Sequence, residues 1–186
     1  MFKQFYPYEY AESVYAIDYQ KLFDLGYRGI IFDIDNTLVP HGRDATPEVE
    51  ALFREIQDLG FKTLLLSNNN QARVERFLEN IDSLYICDAE KPAPAGFHRA
   101  VEKMELLPQQ TVVIGDQVFT DIRGANRSGL ASILVRFIGA DQLKRIGKRR
   151  RAEQLLLCFY RRNRRCCHRI GDIFKKGDYV RNVVER

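Results

Sequence analysis

Short apolar segments alternate with amphipathic helical patterns through the first 140 residues of this 186-residue chain. The segment GIIFDI occupies residues 29–34, and a helical pattern begins after Thr46, with Pro47 at the first helical position. Further apolar segments, expected as strands, lie at residues 61–66, 84–87, 111–114 and 131–137. Strands that alternate with helices at this spacing favour a parallel sheet flanked by helices. The pattern predicts a three-layer α/β/α, Rossmann-like fold.

The segment that precedes the first of these strands has a helical pattern of its own. Val14, Ile17 and Leu22 are apolar at a spacing that fits a helix. We therefore expect a helical lead-in over residues 9–25, before the chain enters the sheet.

The last part of the chain differs in charge from the rest. Residues 141–186 contain 15 Lys and Arg against 5 Asp and Glu, a net charge of +10. Residues 1–140 contain 14 basic and 20 acidic residues, a net charge of −6. This division predicts a folded domain of residues 1–140 and a basic, partly helical tail of residues 141–186. Such a tail is typical of a segment that binds anionic lipid or nucleic acid, or of a solvated appendage.

An apolar patch, residues 155–160, lies between two basic runs of this tail. Basic residues on either side of an apolar, aromatic stretch fit a segment that lies on an anionic membrane surface. Two alternatives stay open at this point. Phe159 and Tyr160 would stack on RNA bases, or Leu155, Leu156 and Phe159 would pack on the body.

Segments that would direct the chain into or across a membrane are not evident in the sequence. No apolar run reaches about 18 residues, so no transmembrane helix is expected. The first ten residues include Lys3 and Glu9 and lack the apolar centre of a secretory signal, which predicts a cytoplasmic protein. The four cysteines are too few for a disulfide scaffold and form no Cys-x-x-Cys pair, so no zinc site is indicated.

Acidic residues lie where the predicted strands end. Asp33 and Asp35 end the first core strand, and Asp116 follows the strand of residues 111–114. A polar residue, Ser67, likewise ends the strand of residues 61–66. In open α/β sheets, ligands bind at the edge where the carboxyl ends of the strands meet. Carboxylates that converge there repel each other unless a cation joins them, and oxygen ligands of this kind suit Mg²⁺. A nucleophilic carboxylate beside Mg²⁺ is one route to phosphoryl transfer through an aspartyl-phosphate.

Four motifs occur along the chain in the same order as in a known protein family. Residues 33–37, DIDNT, match the D-x-D-x-T motif of the haloacid dehalogenase-like (HAD) phosphatases, and Ser67, Lys91 and Asp116 with Asp121 match the other three. The segments DIDNTLV, LLLSNNN, AEKPAP and VVIGDQVFTDIRGANRSG more closely resemble the YqeG-type branch, subfamily IIIA, which includes phosphatidylglycerophosphate phosphatases. The resemblance covers roughly residues 7–140 and does not extend over the basic tail.

The resemblance implies a catalytic or phosphate-binding role for each matched residue. Asp33 would be the nucleophile that attacks phosphorus. Asp35 would protonate the leaving oxygen and then activate the water that hydrolyses the intermediate. Thr37 and Ser67 would hold phosphate oxygens, and Lys91 would neutralise charge that develops on the phosphoryl group.

The resemblance also implies a Mg²⁺ site and its supporting residues. Asp33, the backbone carbonyl of Asp35 and Asp116 would bind the ion. Asp121 would orient Lys91 or the water molecules on the metal, and is the fourth candidate metal residue. Asn68 would help to position the substrate phosphate.

The spacing of the motifs leaves no room for a cap domain. Between Thr37 and Ser67 lie 29 residues, and between Ser67 and Lys91 lie 23, enough in each case for one helix and one strand. We therefore expect an open site, shaped by the loop of residues 39–45. Such a site is accessible to large substrates, such as a lipid head group at a membrane.

The resemblance and the open site imply a Mg²⁺-dependent phosphatase that converts phosphatidylglycerophosphate to phosphatidylglycerol, peripheral at the membrane. One alternative is a phosphatase of nucleic-acid ends or of a soluble phosphorylated metabolite. Another is a non-catalytic RNA- or ribosome-associated protein of the same fold. The intact set of Asp33, Asp35, Lys91 and Asp116 weighs against the latter, because a scaffold has no need of a carboxylate cluster. The sequence does not indicate the oligomeric state.

Overall fold

The structure is a computed structural model that describes residues 3–139, 148–163 and 166–175. In this part of the chain, six strands form one sheet, in the order β1-β6-β5-β2-β3-β4, and every pair is parallel. The predicted parallel sheet is thus confirmed, with β2 and β5 side by side at its centre. The strands are β1 (Glu9–Ala11), β2 (Gly29–Phe32), β3 (Lys62–Leu66), β4 (Leu84–Ile86), β5 (Thr111–Gly115) and β6 (Ala131–Val135).

Helices cover both faces of this sheet. Consecutive residues of β2 point to opposite faces, and Ile30 and Ile31 accordingly belong to two different apolar clusters. The first three helices contribute to the Ile30 cluster, and the next two contribute to the Ile31 cluster. The helices are α1 (Tyr19–Asp24), α2 (Pro47–Asp58), α3 (Gln71–Phe77), α4 (Pro94–Lys103), α5 (Arg123–Arg127) and α6 (Lys148–Arg162).

The sequence pattern also places the start of α2 correctly. The Thr46 hydroxyl accepts a hydrogen bond from the N–H of Val49, and Pro47 occupies the first helical position. Residues 38–66 contain only α2 and β3 besides loops, and residues 68–90 contain only α3 and β4. The expected absence of a cap domain between the motifs is therefore confirmed.

The prediction for the lead-in is wrong in its first half. Residues 9–11 form β1, an edge strand of the sheet, and within residues 9–25 only α1 and a short 3-10 turn, Val14–Ala16, are helical. Glu9, Tyr10 and Ala11 pair with residues 133–135 of β6. A strand of three residues is too short to show a period, and its pairing depends on an edge that the distant β6 supplies.

The basic tail returns to the body. Its helix α6 confirms the expected helical content, and residues 166–175 run beside the start of the chain. The N–H of Asp18 donates to the carbonyl of Ile173, 2.8 Å away, and Phe174 is buried. The predicted domain boundary at residues 140 and 141 lies outside the described residues, as do Arg164 and Arg165. None of the described helices combines the length and apolarity that a membrane crossing requires.

Candidate active site

Two neighbouring strands bring the first carboxylates of the site together. Phe32 of β2 pairs with Ile114 of β5, so Asp33 and Asp116 emerge side by side at the carboxyl edge of the sheet. The N–H of Asp33 donates to the carbonyl of Ile114 at 3.0 Å, which extends the pairing by one residue. Asp121 joins them, and carboxylate oxygens of all three buried residues lie within 4.8 Å of one another.

The Lys91 ammonium lies between two of these carboxylates. Its Nζ is 2.6 Å from Oδ1 of Asp33 and 2.7 Å from Oδ1 of Asp121. The side-chain amide of Asn68 holds the Lys91 backbone in place, since its Oδ1 accepts from the Lys91 N–H and its Nδ2 donates to the Lys91 carbonyl. The amide of Asn68 thus positions the lysine, and the contact of Asn68 with phosphate stays a prediction.

Asp121 owes its place to a close approach of two backbone segments. It lies in a π-helical turn, Val118–Ile122, and its Oδ2 accepts from the N–H of Gln117 at 3.1 Å. A Cβ on Gly115 would be 2.5 Å from Cβ of Asp121. Only glycine therefore fits at the end of β5 while Asp121 keeps its contact with Lys91.

Charge in this cluster is incompletely balanced. Burial raises the pKa of Asp33 to about 6, the Lys91 ammonium opposes that rise, and the Asp121 carboxylate adds to it. Burial works against the charged form of Lys91, but the carboxylates of Asp121 and Asp33 raise its pKa above its usual range. Among these four residues, three acidic side chains face a single ammonium. Because the donors are all carboxylate oxygens in a buried cluster, the site fits a divalent cation.

The hydroxyls of Thr37 and Ser67 are buried beside this cluster. Thr37 donates to Oδ2 of Asp33 at 3.1 Å and lies 3.4 Å from Oδ1 of Asp116. Ser67 accepts from the N–H of Asn69 at 3.1 Å through its own hydroxyl. Both residues are thus at the predicted edge of the sheet, and their contacts with phosphate stay a prediction.

The Asp35 carboxylate is at the site but outside the acidic cluster. It accepts from the N–H of Gly42 at 2.9 Å, from Nδ2 of Asn69 at 2.7 Å and from Nη2 of Arg73 at 3.1 Å. Partial burial works against its ionisation, but these donors together lower the pKa of Asp35. The carboxylate groups that can surround a metal are those of Asp33, Asp116 and Asp121, which leaves Asp35 only the predicted backbone contact.

Arg73 is a residue of the site that the sequence reasoning missed. Its Nη2 donates to Asp35 and also to the carbonyl of Arg43, 2.6 Å away, so it joins Asp35 to the loop of residues 39–45. Its Nε and Nη1 are buried without a hydrogen-bond partner, and its guanidinium lies over the ring of Phe77. Its place in the first turn of α3, just after the strand end at Ser67, was the available signal.

Comparison with known proteins agrees with this geometry. A protein family described as haloacid dehalogenase-like hydrolase matches residues 41–129. The probable phosphatase YqeG of Bacillus subtilis is 43% identical over 137 residues, which cover 73% of this chain and 80% of that protein. The chain belongs to the haloacid dehalogenase-like hydrolase family. The prediction that this HAD-like hydrolase is a phosphatase is confirmed by its similarity to the same relative.

More distant proteins share the fold with this HAD-like phosphatase. Phosphatidylglycerophosphate phosphatase 1 of Chlamydomonas reinhardtii is 26% identical over 139 residues, or 69% of this chain and 52% of that protein. The solved structure of the YrbI phosphatase of Haemophilus influenzae has a TM-score of 0.51 at 13% identity. The match covers 74% of this chain and 90% of the YrbI chain. The α/β/α fold is therefore confirmed by an experimental structure.

Proposed function

We propose that this HAD-like phosphatase is Mg²⁺-dependent and hydrolyses phosphatidylglycerophosphate to phosphatidylglycerol through an aspartyl-phosphate on Asp33. The observation that carries the proposal is the buried cluster of Asp33, Asp116 and Asp121 around Lys91 at the carboxyl edge of the sheet. Asp33, Asp116 and the Asp35 carbonyl would hold the ion. When bound, Mg²⁺ would neutralise the cluster and polarise the phosphate oxygens.

The first half of the reaction would use Asp33 as the nucleophile. A carboxylate oxygen of Asp33 attacks phosphorus, the bond from phosphorus to the alcohol oxygen breaks, and Asp35 gives its proton to that oxygen. Asp35 therefore has to be protonated at this stage, although its resting partners favour the carboxylate. A phosphate dianion beside it would favour protonation, because a like charge raises a carboxyl pKa.

The second half would release inorganic phosphate. The Asp35 carboxylate takes a proton from water, the water oxygen attacks phosphorus, and the bond from phosphorus to Asp33 breaks. The lowered pKa of Asp35 suits this step, since it keeps the residue ready to accept a proton. Lys91, held at 2.6 Å from Asp33, would balance charge on the phosphoryl group in both halves.

Two observations support the lipid substrate. The chain is similar to the phosphatidylglycerophosphate phosphatase of Chlamydomonas reinhardtii over most of its length. The site also lacks a cap domain in residues 38–66 and 68–90, so nothing inserted between the motifs encloses a small metabolite.

The test is phosphate release from phosphatidylglycerophosphate in mixed micelles with Mg²⁺. We expect release by the wild type, loss of at least about a thousandfold in Asp33→Asn, and loss on chelation that Mg²⁺ reverses. Asp88→Asn, an exposed acid near the site, is the matched control and should keep full activity.

Two results would revise the proposal in different ways. Hydrolysis of an aryl phosphate through Asp33, with no release from the lipid, would keep the phosphatase and overturn the lipid assignment. The same pattern with a phosphorylated oligonucleotide end or a soluble sugar phosphate as substrate would identify the alternative class. Full lipid hydrolysis by Asp33→Asn would overturn the mechanism.

A further inference from the structure

One face of α6 packs on the body. This face carries Glu153, Leu156, Leu157 and Tyr160, whose spacing of three and four residues places them on one side of a helix. Glu153 and Tyr160 are buried, and the Tyr160 ring packs on that of Tyr6 at 5.8 Å. Packing on the body, one of the alternatives that the sequence left open, therefore applies to Leu156 but not to Leu155 or its neighbours on the opposite side.

The opposite face of α6 is an exposed row that we call the outward stripe. Two large apolar side chains in it are open to water, with Leu155 65% exposed and Phe159 59% exposed. Basic residues lie at both ends of the stripe. A rotation of about 100° per residue places its members on one side of the helix, and all of them are exposed. They are Arg151, Leu155, Cys158, Phe159 and Arg162.

Charge is distributed unevenly around this helix. The sequence of α6 has six Lys and Arg and a single acid, Glu153. That acid is 4% exposed and faces the body, where its Oε1 accepts from the N–H of Phe119 at 3.5 Å. The exposed side of α6 therefore offers arginines and apolar side chains with no carboxylate among them, which complements a negatively charged surface that also accepts apolar groups.

The placement of the aromatic residues favours lipid over RNA. Stacking on bases requires exposed rings, but Tyr160 is only 4% exposed and is occupied by Tyr6. That leaves Phe159 as the exposed aromatic ring of α6, next to an aliphatic side chain, Leu155. An aliphatic and an aromatic group flanked by arginines suit the boundary between lipid head groups and acyl chains.

We propose that the outward stripe of α6 is a docking surface for an anionic lipid bilayer. The inward face of α6 packs near Val118 and Ile122, in the turn that also carries Asp121. Because the outward stripe is on the opposite side of α6, a bilayer bound to it would be separated from this turn by the width of the helix, about 10 Å. The proposal rests on the proposed function for its purpose, delivery of a lipid phosphate to Asp33, while the binding itself needs no turnover.

The test is co-sedimentation of the full chain with phosphatidylcholine vesicles, with and without phosphatidylglycerol. The wild-type sequence is used as the background, because these vesicles contain the product lipid and no phosphomonoester substrate. We expect binding to the anionic vesicles only, and about tenfold weaker binding when Leu155→Gln and Phe159→Gln are combined. Leu107→Gln, which changes a body residue that is 61% exposed, is the matched control and should bind as the background does. Thermal unfolding should be the same for all of these variants.

Several outcomes would overturn the docking surface. Absence of binding to anionic vesicles would do so, and so would equal binding by the double variant. Loss of RNA binding instead of vesicle binding in the double variant would identify a nucleic-acid site. Failure of the two proposals is distinguishable. Vesicle binding without lipid hydrolysis by the wild type overturns only the assignment of the lipid as substrate. Hydrolysis of the micellar lipid by a wild type that does not bind anionic vesicles removes only the docking surface.

Discussion

At the scale of single residues, Asp33 is the proposed nucleophile, but burial disfavours its charged form. Its folded-state pKa of about 6 lies above the value of about 3.9 for an unfolded chain. A raised carboxyl pKa contributes stability that is present below the unfolded value and is lost as the pH rises through the folded value. The metal-free protein should therefore lose stability between about pH 4 and pH 7 because Asp33 ionises in a buried, acidic cluster.

We expect Asp33→Asn to remove this loss. In chelator at pH 7.5, the variant should be more stable than the wild type by up to about 3 kcal/mol, and the difference should shrink toward pH 4. Urea unfolding of both proteins across this range measures it. Added Mg²⁺ should stabilise the wild type more than the variant. A variant less stable than the wild type at every pH would show that the contacts of Asp33 with Lys91 and Thr37 outweigh its burial.

At the scale of elements, α3 is coupled to the loop of residues 39–45 through Arg73. The guanidinium bridges the Asp35 carboxylate and the Arg43 carbonyl, so α3 holds both the proposed acid and base and the loop beside it. We expect Arg73→Gln to lower kcat for alkyl phosphates by roughly 10- to 100-fold. Aryl phosphates, whose leaving groups need little protonation, should lose much less.

The same helix supplies a control for this prediction. Arg76 also forms an ion pair, with Asp44 at 2.6 Å, but it is exposed and does not contact Asp35. Arg76→Gln should leave the ratio of alkyl to aryl turnover at its wild-type value. Equal losses on both substrate types in Arg73→Gln would mean that the arginine stabilises the site generally and does not position Asp35.

At the scale of the whole molecule, the two ends of the described chain are joined through Glu9. This residue of β1 is fully buried, and its Oε1 accepts from the N–H groups of Ile170 and Gly171 at 3.1 and 3.2 Å. Its Oε2 is 2.9 Å from Nδ1 of His168. Glu9→Ala leaves these donors without an acceptor, so we expect a loss of about 2 kcal/mol in the free energy of unfolding.

Two further variants separate this interaction from general effects of charge. Burial raises the pKa of Glu9, so a neutral side chain is tolerated there, and Glu9→Gln keeps an acceptor oxygen. We expect Glu9→Gln to cost clearly less than Glu9→Ala in urea unfolding. Glu12→Ala, which removes a partly exposed ion pair with Arg136, should cost about 0.5 kcal/mol or less. Equal losses in Glu9→Ala and Glu9→Gln would contradict the role of the acceptor.

Features that depend on local order could be predicted from the sequence alone. Short apolar segments specify β2 to β6 and helical patterns specify α2 to α4. A continuous apolar run suits a strand that is buried on both faces, and a helical period marks the one buried side of a helix. Asp33, Asp116 and Ser67 follow those strands directly, so a parallel sheet necessarily brings them to one edge. The lengths of 29 and 23 residues between the motifs likewise exclude a cap domain.

Tertiary structure decided the features that join distant parts of the chain. The strand β1 exists because β6 offers it an edge, and Glu9 is buried because residues 168–171 cover it. Arg73 reaches Asp35 across 38 positions, and its own helical pattern gives no sign of that partner. In α6, the sequence shows an apolar patch, but only packing against Tyr6 and the Asp121 turn decides that Tyr160 is buried and Phe159 is not. Periodicity reports local geometry, whereas these contacts depend on which surfaces the fold brings together.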